Sequence, residues 1–149
     1  MNKFTPKGII FDMDGVLRIG SHPVKYANEI IQLLKKKKIP GMISTNECRY
    51  SETELRDDLE ELGITIPNDW IIYTSAMAIR DYLEKKIKKN KEKNFSIGII
   101  GEKGLFQTVN EITNLENCEI CEIPPKYETK KILIIGSVNK IKISTLEKG

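Results

Sequence analysis

Ile9-Ile10-Phe11-Asp12-Met13-Asp14-Gly15-Val16 is a short apolar run that ends on an Asp, with a second Asp two residues on and a Gly after it. Residues 7–11 read as a buried strand, and in open parallel sheets ligands bind beyond the carboxyl ends of the strands. Two carboxylates in that position have a definite chemistry. The first, Asp12, can attack phosphorus to form an aspartyl phosphate, while Asp14 can protonate the leaving oxygen and later take a proton from water. Together they would repel a phosphate dianion unless a divalent cation lies between them. Ligands that are all oxygen favour Mg²⁺, with Asp12 and Asp14 as the residues that hold it.

Outward from this stretch, apolar runs alternate with helical patterns, the sign of an α/β fold with a parallel sheet covered by helices on both faces. Pro23 stands just inside a helix start, Tyr26, Ile30, Leu33 and Leu34 follow at helical spacing, and lysines fill 35–38 in the last turn. Residues 39–44 are the next strand. Ser51 with Glu54 forms a capping box, and Leu55, Leu59 and Leu62 carry the apolar stripe to a stop at Gly63. After Trp70-Ile71-Ile72-Tyr73, Ser75 caps a helix to about residue 88. A polar connector follows at 88–94, and a domain boundary is expected within 75–95. Residues 95–100, 118–123 and 131–135 read as further strands, 104–112 as a helix, and a last helix begins after residue 143.

Asp12-Met13-Asp14-Gly15-Val16-Leu17 resembles the first motif of the haloacid dehalogenase superfamily. Ile43-Ser44-Thr45-Asn46 resembles its second motif, whose hydroxyl holds the phosphoryl group; Thr45 is the matching position and Ser44 its nearest rival. Leu17-Arg18-x-Gly20, Pro23-x-x-x-Ala27, Arg49, Glu54-Leu55, Leu62-Gly63-Ile64 and Thr74-Ser75-Ala76 fall in the order of one branch. That branch contains nitrophenylphosphatase, phosphoglycolate phosphatase, pyridoxal phosphatase and the NagD-type nucleotide phosphatases. The resemblance covers nearly the whole chain. It implies a Rossmann-like core in residues 1–80 and the start of an α/β C2-type cap in 81–149, with Gly101-Glu102-Lys103-Gly104-Leu105 and Ile134-Ile135-Gly136 among the cap's early parts.

The resemblance further implies a Mg²⁺-dependent phosphomonoester hydrolase for small phosphorylated metabolites. Asp12 would be nucleophile and metal ligand, Asp14 acid, base and metal ligand, and Thr45, Asn46 and the loop amides of Met13 and Gly15 the phosphate binders. Two departures, Glu47 in place of a second Asn and Arg18 in place of an aromatic, are expected to tune substrate choice. The branch also uses a phosphate-neutralising Lys and a Gly-Asp acidic motif, and neither occurs in these 149 residues. Each lost charge interaction costs about 3 kcal/mol or more at a transition state. The competing expectation is therefore a truncated, catalytically deficient fragment acting as a binding or assembly module. In that case the edge of the first strand is bare and takes up a second copy or a complementing C-terminal half.

Bulk properties narrow the alternatives. With 24 Lys and Arg against 21 Asp and Glu the net charge is +3, and only 7% of residues are aromatic, so nucleic acid is not the expected partner. No apolar run approaches the roughly 20 residues of a membrane-spanning helix. Three cysteines in a Lys-rich chain without an apolar signal core point to a reducing cytoplasm. Cys118 and Cys121 lie at an odd spacing in a strand, on opposite faces, and a zinc site wants four ligands. Arg49 follows Cys48 directly, which excludes the Cys-x5-Arg loop of a cysteine phosphatase. His22 reads as a surface or cap-region residue, and Met77, Ile79 and Leu83 as packing residues.

Overall fold

The computed structural model describes residues 6–89, 95–112, 118–121 and 130–137. The chain divides into two compact units, one of residues 1–46 and 52–74, the other of 47–51 and 75–149.

In the first unit β1 (Ile9–Asp12) leads to a small hairpin, β2 (Arg18–Ile19) with β3 (His22–Pro23), then to α1 (Ala27–Lys36), β4 (Gly41–Thr45), α2 (Glu52–Glu61) and β5 (Ile71–Thr74). The three long strands form a parallel sheet in the order β1-β4-β5. Phe11, Ile43 and Ile72 are in register across it. Ile43 and Ile72 are fully buried, and Ile31 of α1 and Leu55 and Leu59 of α2 pack into the same core with Ile64, Ile66 and Trp70. Each such side chain contributes about 1.5–3 kcal/mol through burial. Trp70 sits so close over Gly41 that a Cβ there would come within 2.4 Å of its ring, so only glycine fits.

Besides the stripe of α1, where Tyr26, Ile30 and Leu33 are exposed and Ala27 and Ile31 are buried instead, two features depart from the sequence-based expectation. Pro23 lies in the β2–β3 hairpin and not in a helix; α1 begins after Tyr26, which adopts φ 68°. A two-residue turn, Gly20-Ser21 with Gly20 at φ 58°, closes the hairpin, and an edge strand this short loses nothing by Pro's missing N–H. The second departure is that, among the described residues, helices cover one face of this sheet only. Both crossovers step one strand in the same direction, and right-handed connections then put α1 and α2 on the same side. The opposite face presents the row Ile10–Met42–Ile71, with Ile10 66% exposed. β1 is an edge strand of this sheet.

The second unit holds α3 (Ser75–Lys89), β6 (Phe95–Ile100), α4 (Lys103–Asn110), β7 (Cys118–Cys121) and β8 (Lys130–Ile135). Its three strands are parallel in the order β7-β6-β8, so β8 pairs with β6 and not with β1. Ala76, Leu83, Ile97, Ile99, Leu105, Val109 and Ile134 make its core. Met77 is buried and Ile79 packs partly buried against that core. The loop 47–51 is built into this unit: the Gly104 N–H donates to the Arg49 carbonyl at 2.9 Å, and a Cβ at Gly104 would meet the Arg49 and Tyr50 backbone at 2.6 Å. Of the connector expected at 88–94, Lys88 and Lys89 belong to α3, and 90–94, strand residues 122–123 and the helix after 143 lie outside the described residues.

Candidate active site

Because β1 and β4 are adjacent, parallel and in register, with Asp12 opposite Ser44, the loops at their carboxyl ends leave the sheet side by side. Asp12, Asp14, Ser44, Thr45 and Asn46 line one open cleft of about 450 Å³ there. Two sequence motifs separated by some thirty residues thus converge, at the edge of a parallel sheet where ligands bind. Thr45 is buried and ends β4, while Asp12 and Asp14 are exposed to the cleft. Ser44 lines the same cleft as Thr45.

Two of the expected phosphate donors are engaged within the protein. The Met13 amide donates to Oδ1 of Asp12 at 3.0 Å, and the Gly15 amide to the carbonyl of Arg18 at 2.7 Å. Met13 is itself fully buried, its side chain a member of the core, which turns the chain so that Asp12 and Asp14 both face outward. Gly15 at φ 85° makes the tight turn that brings Arg18 back toward Asp14. There, Arg18 Nε donates to Oδ1 of Asp14 at 3.0 Å, and its Nη1 donates to Oδ2 of Asp58 on α2. Asp58 was not singled out by the sequence, where forty residues separate it from Arg18 and no local pattern links them.

Glu47, next in the chain after Asn46, is buried and saturated by its own loop. Its carboxylate accepts from the amides of Cys48 and Arg49 at 2.9 and 2.8 Å and from the Arg49 guanidinium, with Nη2 at 2.6 Å. The Arg49 side chain, which hydrogen-bonds it directly, holds Glu47 below the usual carboxylate value of 4.5, against the opposing effect of burial. A lowered folded value means that this contribution to stability is complete above pH 4.5 and is lost as pH falls through the folded value. Thermal unfolding on the acid side of pH 4.5 should therefore fall less steeply with pH in Glu47→Gln than in the parent. Parallel acid limbs would remove Glu47 from that role.

Among the described residues no group of three or more His, Cys, Asp and Glu side chains is placed to hold a metal ion. The cleft offers instead two carboxylates and neutral oxygens. That donor set fits Mg²⁺, which keeps several waters and binds through one or two carboxylates plus substrate phosphate, and it does not fit zinc. Asp12 and Asp14 are the residues that would hold it. His22 is exposed in β3 and does not line the cleft.

The chain is 26% identical over 107 residues to the 5′-nucleotidase YutF of Bacillus subtilis, a match covering 72% of this chain and 40% of that protein. It is 33% identical over 82 residues to the ribonucleotide monophosphatase NagD of Escherichia coli, covering 55% of this chain and 32% of NagD. The crystal structure of NagD from the K-12 strain superposes over 97% of this chain and 52% of its own with a TM-score of 0.74 at 23% identity, which shows a shared fold. A glycerol phosphate phosphatase from Mycobacterium tuberculosis, in complex with magnesium, superposes with a TM-score of 0.70 over 95% of this chain and 39% of its own, at 20% identity. The chain thus spans between about a third and a half of the length of these relatives. A family model described as haloacid dehalogenase-like hydrolase matches residues 9–113, the stretch that contains every residue of the cleft, and the chain belongs to that family.

Proposed function

We propose that this chain carries the phosphoryl-transfer half of a Mg²⁺-dependent phosphomonoester hydrolase acting on small phosphorylated metabolites. The observation that carries this reading is the convergence of Asp12 and Asp14 with Thr45 and Asn46 in one cleft. An Asp12 oxygen attacks phosphorus as the bond to the leaving oxygen breaks, and Asp14 gives its proton to that oxygen. Asp14 then takes a proton from a water that attacks the aspartyl phosphate, releasing inorganic phosphate and restoring Asp12. Thr45 and Asn46 orient the phosphoryl group. Bound Mg²⁺ would neutralise the dianion between the two carboxylates. On this reading residues 1–80 are core and 81–149 part of a cap that selects the leaving group, and the free, buried Cys48 suits a reducing cytoplasm. Mg²⁺-dependent phosphate release from 4-nitrophenyl phosphate tests it; a chain that neither turns over this ester nor binds Mg²⁺ at Asp12 would overturn it.

A second reading, a binding or assembly module, rests on the first sheet. Ile9 is held to β4 through its N–H to the Pro40 carbonyl. Alternation along a strand then turns the N–H and C=O of Ile10 to the outer edge, beside its own exposed side chain. An edge that is apolar over Ile9, Ile10 and Phe11 and carries no proline invites another strand, either from a second copy or from a complementing C-terminal half. Sedimentation should show concentration-dependent association, and Ile10→Lys should suppress it without changing the secondary structure. A monodisperse parent with a slowly exchanging Ile10 amide would sink the idea.

A further inference from the structure

We propose that the outer face of α1 is a docking surface for an anionic lipid bilayer, in which Tyr26, Ile30 and Leu33 enter the headgroup region while the lysines around them meet the acidic headgroups. The surface is separate from the cleft, which α1 does not line.

α1 carries two apolar stripes, and the first unit's core uses one of them. Ala27 and Ile31 are buried, and Leu34 packs partly buried against the same core. Tyr26, Ile30 and Leu33, spaced i, i+4 and i+7, make a second stripe along the helix and are 57%, 47% and 51% exposed. Lys37 continues that line by one turn, and at 100° per residue Lys25 and Lys36 flank it on the side away from the sheet; all three are exposed. Lys35 and Lys38 are exposed as well, and Glu29 is the single acidic residue within 25–38. Tyr26 holds φ 68° at the helix N-cap with no side-chain cap bond. A bulky residue in the left-handed region is strained, and this ring lies in solvent, where burial does not offset the strain. Glycine would take the same φ freely.

Charge and area decide what the stripe meets. In a second copy lysine would face lysine: antiparallel pairing about Ile30 sets Lys25 of one copy beside Lys36 of the other, and parallel pairing sets each lysine against its counterpart. The three side chains expose on the order of 300 Å² together, well short of the roughly 800 Å² per partner of a stable protein interface. Protein interfaces also favour arginine and disfavour lysine, whereas residues 25–38 hold five lysines and no arginine. A bilayer needs no matching groove. A convex apolar stripe sinks into the headgroup boundary, and flexible lysine stems reach the phosphates from there. Tyrosine is enriched at that depth, and each lysine near an acidic membrane adds about five-fold in affinity.

The test is co-sedimentation of the full chain with vesicles of phosphatidylcholine containing about 30% phosphatidylserine, against vesicles of phosphatidylcholine alone. The parent should bind the acidic vesicles at least about ten-fold more tightly, and added salt should weaken that binding. Ile30→Ser with Leu33→Ser, and separately Lys36→Glu with Lys37→Glu, should each reduce it at least about ten-fold with the far-ultraviolet circular dichroism unchanged. Tyr26→Gly should lose binding while its melting temperature holds or rises, because the strain leaves with the ring. Tyr26→Trp should bind, with its added indole emitting further to the blue on the acidic vesicles. Ile10→Lys, on a different surface, should bind as the parent does. A parent that binds neither vesicle overturns the proposal. So does equal binding to both, or binding that survives the two Ser substitutions, since lysines alone would then be adsorbing. Self-association that Ile30→Ser abolishes, without vesicle binding, also overturns it and makes a second copy the occupant.

Discussion

Asp12→Asn is expected to abolish Mg²⁺-dependent phosphate release, by at least about 1,000-fold, equivalent to roughly 4 kcal/mol of barrier. The amide oxygen of Asn is too weak a nucleophile at phosphorus, and the negative charge that helps to hold the metal is lost with the substitution. The fold should survive it. Asp12 is exposed at the end of β1, and its contact with the Met13 amide is one that an Asn Oδ1 can also accept. Melting temperature and the far-ultraviolet circular dichroism should match the parent while turnover vanishes. A stable Asp12→Asn protein that still releases phosphate at the parental rate would reject the aspartyl-phosphate mechanism, since Asp14 or a directly activated water would then be the attacking group.

Removal of divalent cations is expected to be as costly. The cleft is lined by two carboxylates and by Ser44, Thr45 and Asn46, with no lysine or arginine among its lining residues. Arg18, the nearby cation, is committed to Asp14 and Asp58. A phosphate dianion therefore meets the Asp12 carboxylate with no cation beside it, and a like-charge pair at about 4 Å costs roughly 4 kcal/mol at the effective dielectric of a protein surface. Even one such unrelieved pair lowers the rate about 1,000-fold. Chelation should abolish turnover, and added Mg²⁺ should restore it. Ca²⁺ should restore it poorly, because it is larger and tolerates looser coordination than octahedral Mg²⁺. Turnover that is indifferent to chelator would mean that the protein supplies its own cation to the phosphate.

How far the sequence reaches can be seen by following particular residues. Asp12 and Asp14 are legible because they sit where an apolar run gives way to polar residues. That transition marks a strand end on purely local grounds, and in a parallel sheet all strand ends of one kind lie on one edge. Thr45, one residue past the strand as read at 39–44, was marked only by the resemblance to the second motif. The second crossover helix is legible through the spacing of Leu55 and Leu59 and the stop at Gly63, whereas in the first the helix was legible but its buried face was not, since Ala27 and Ile31 are buried and Tyr26, Ile30 and Leu33 are exposed. The β2–β3 hairpin carried a local signal too, the Gly20-Ser21 turn, but Pro23 beside a helical pattern read more naturally as a helix start.

What only the tertiary structure decided is who partners whom. The Arg18 contacts with Asp14 and Asp58, the absorption of residues 47–51 into the second unit through Gly104, the pairing of β8 with β6, and the exposure of Ile10 and Ile71 among the described residues leave no local trace. Patterns of polarity record whether a side chain is buried, because burial acts on each residue by its own chemistry. They do not record its neighbours. Hydrogen bonds and ion pairs between distant residues depend on strand order, register and crossover hand, and those are set by the chain as a whole.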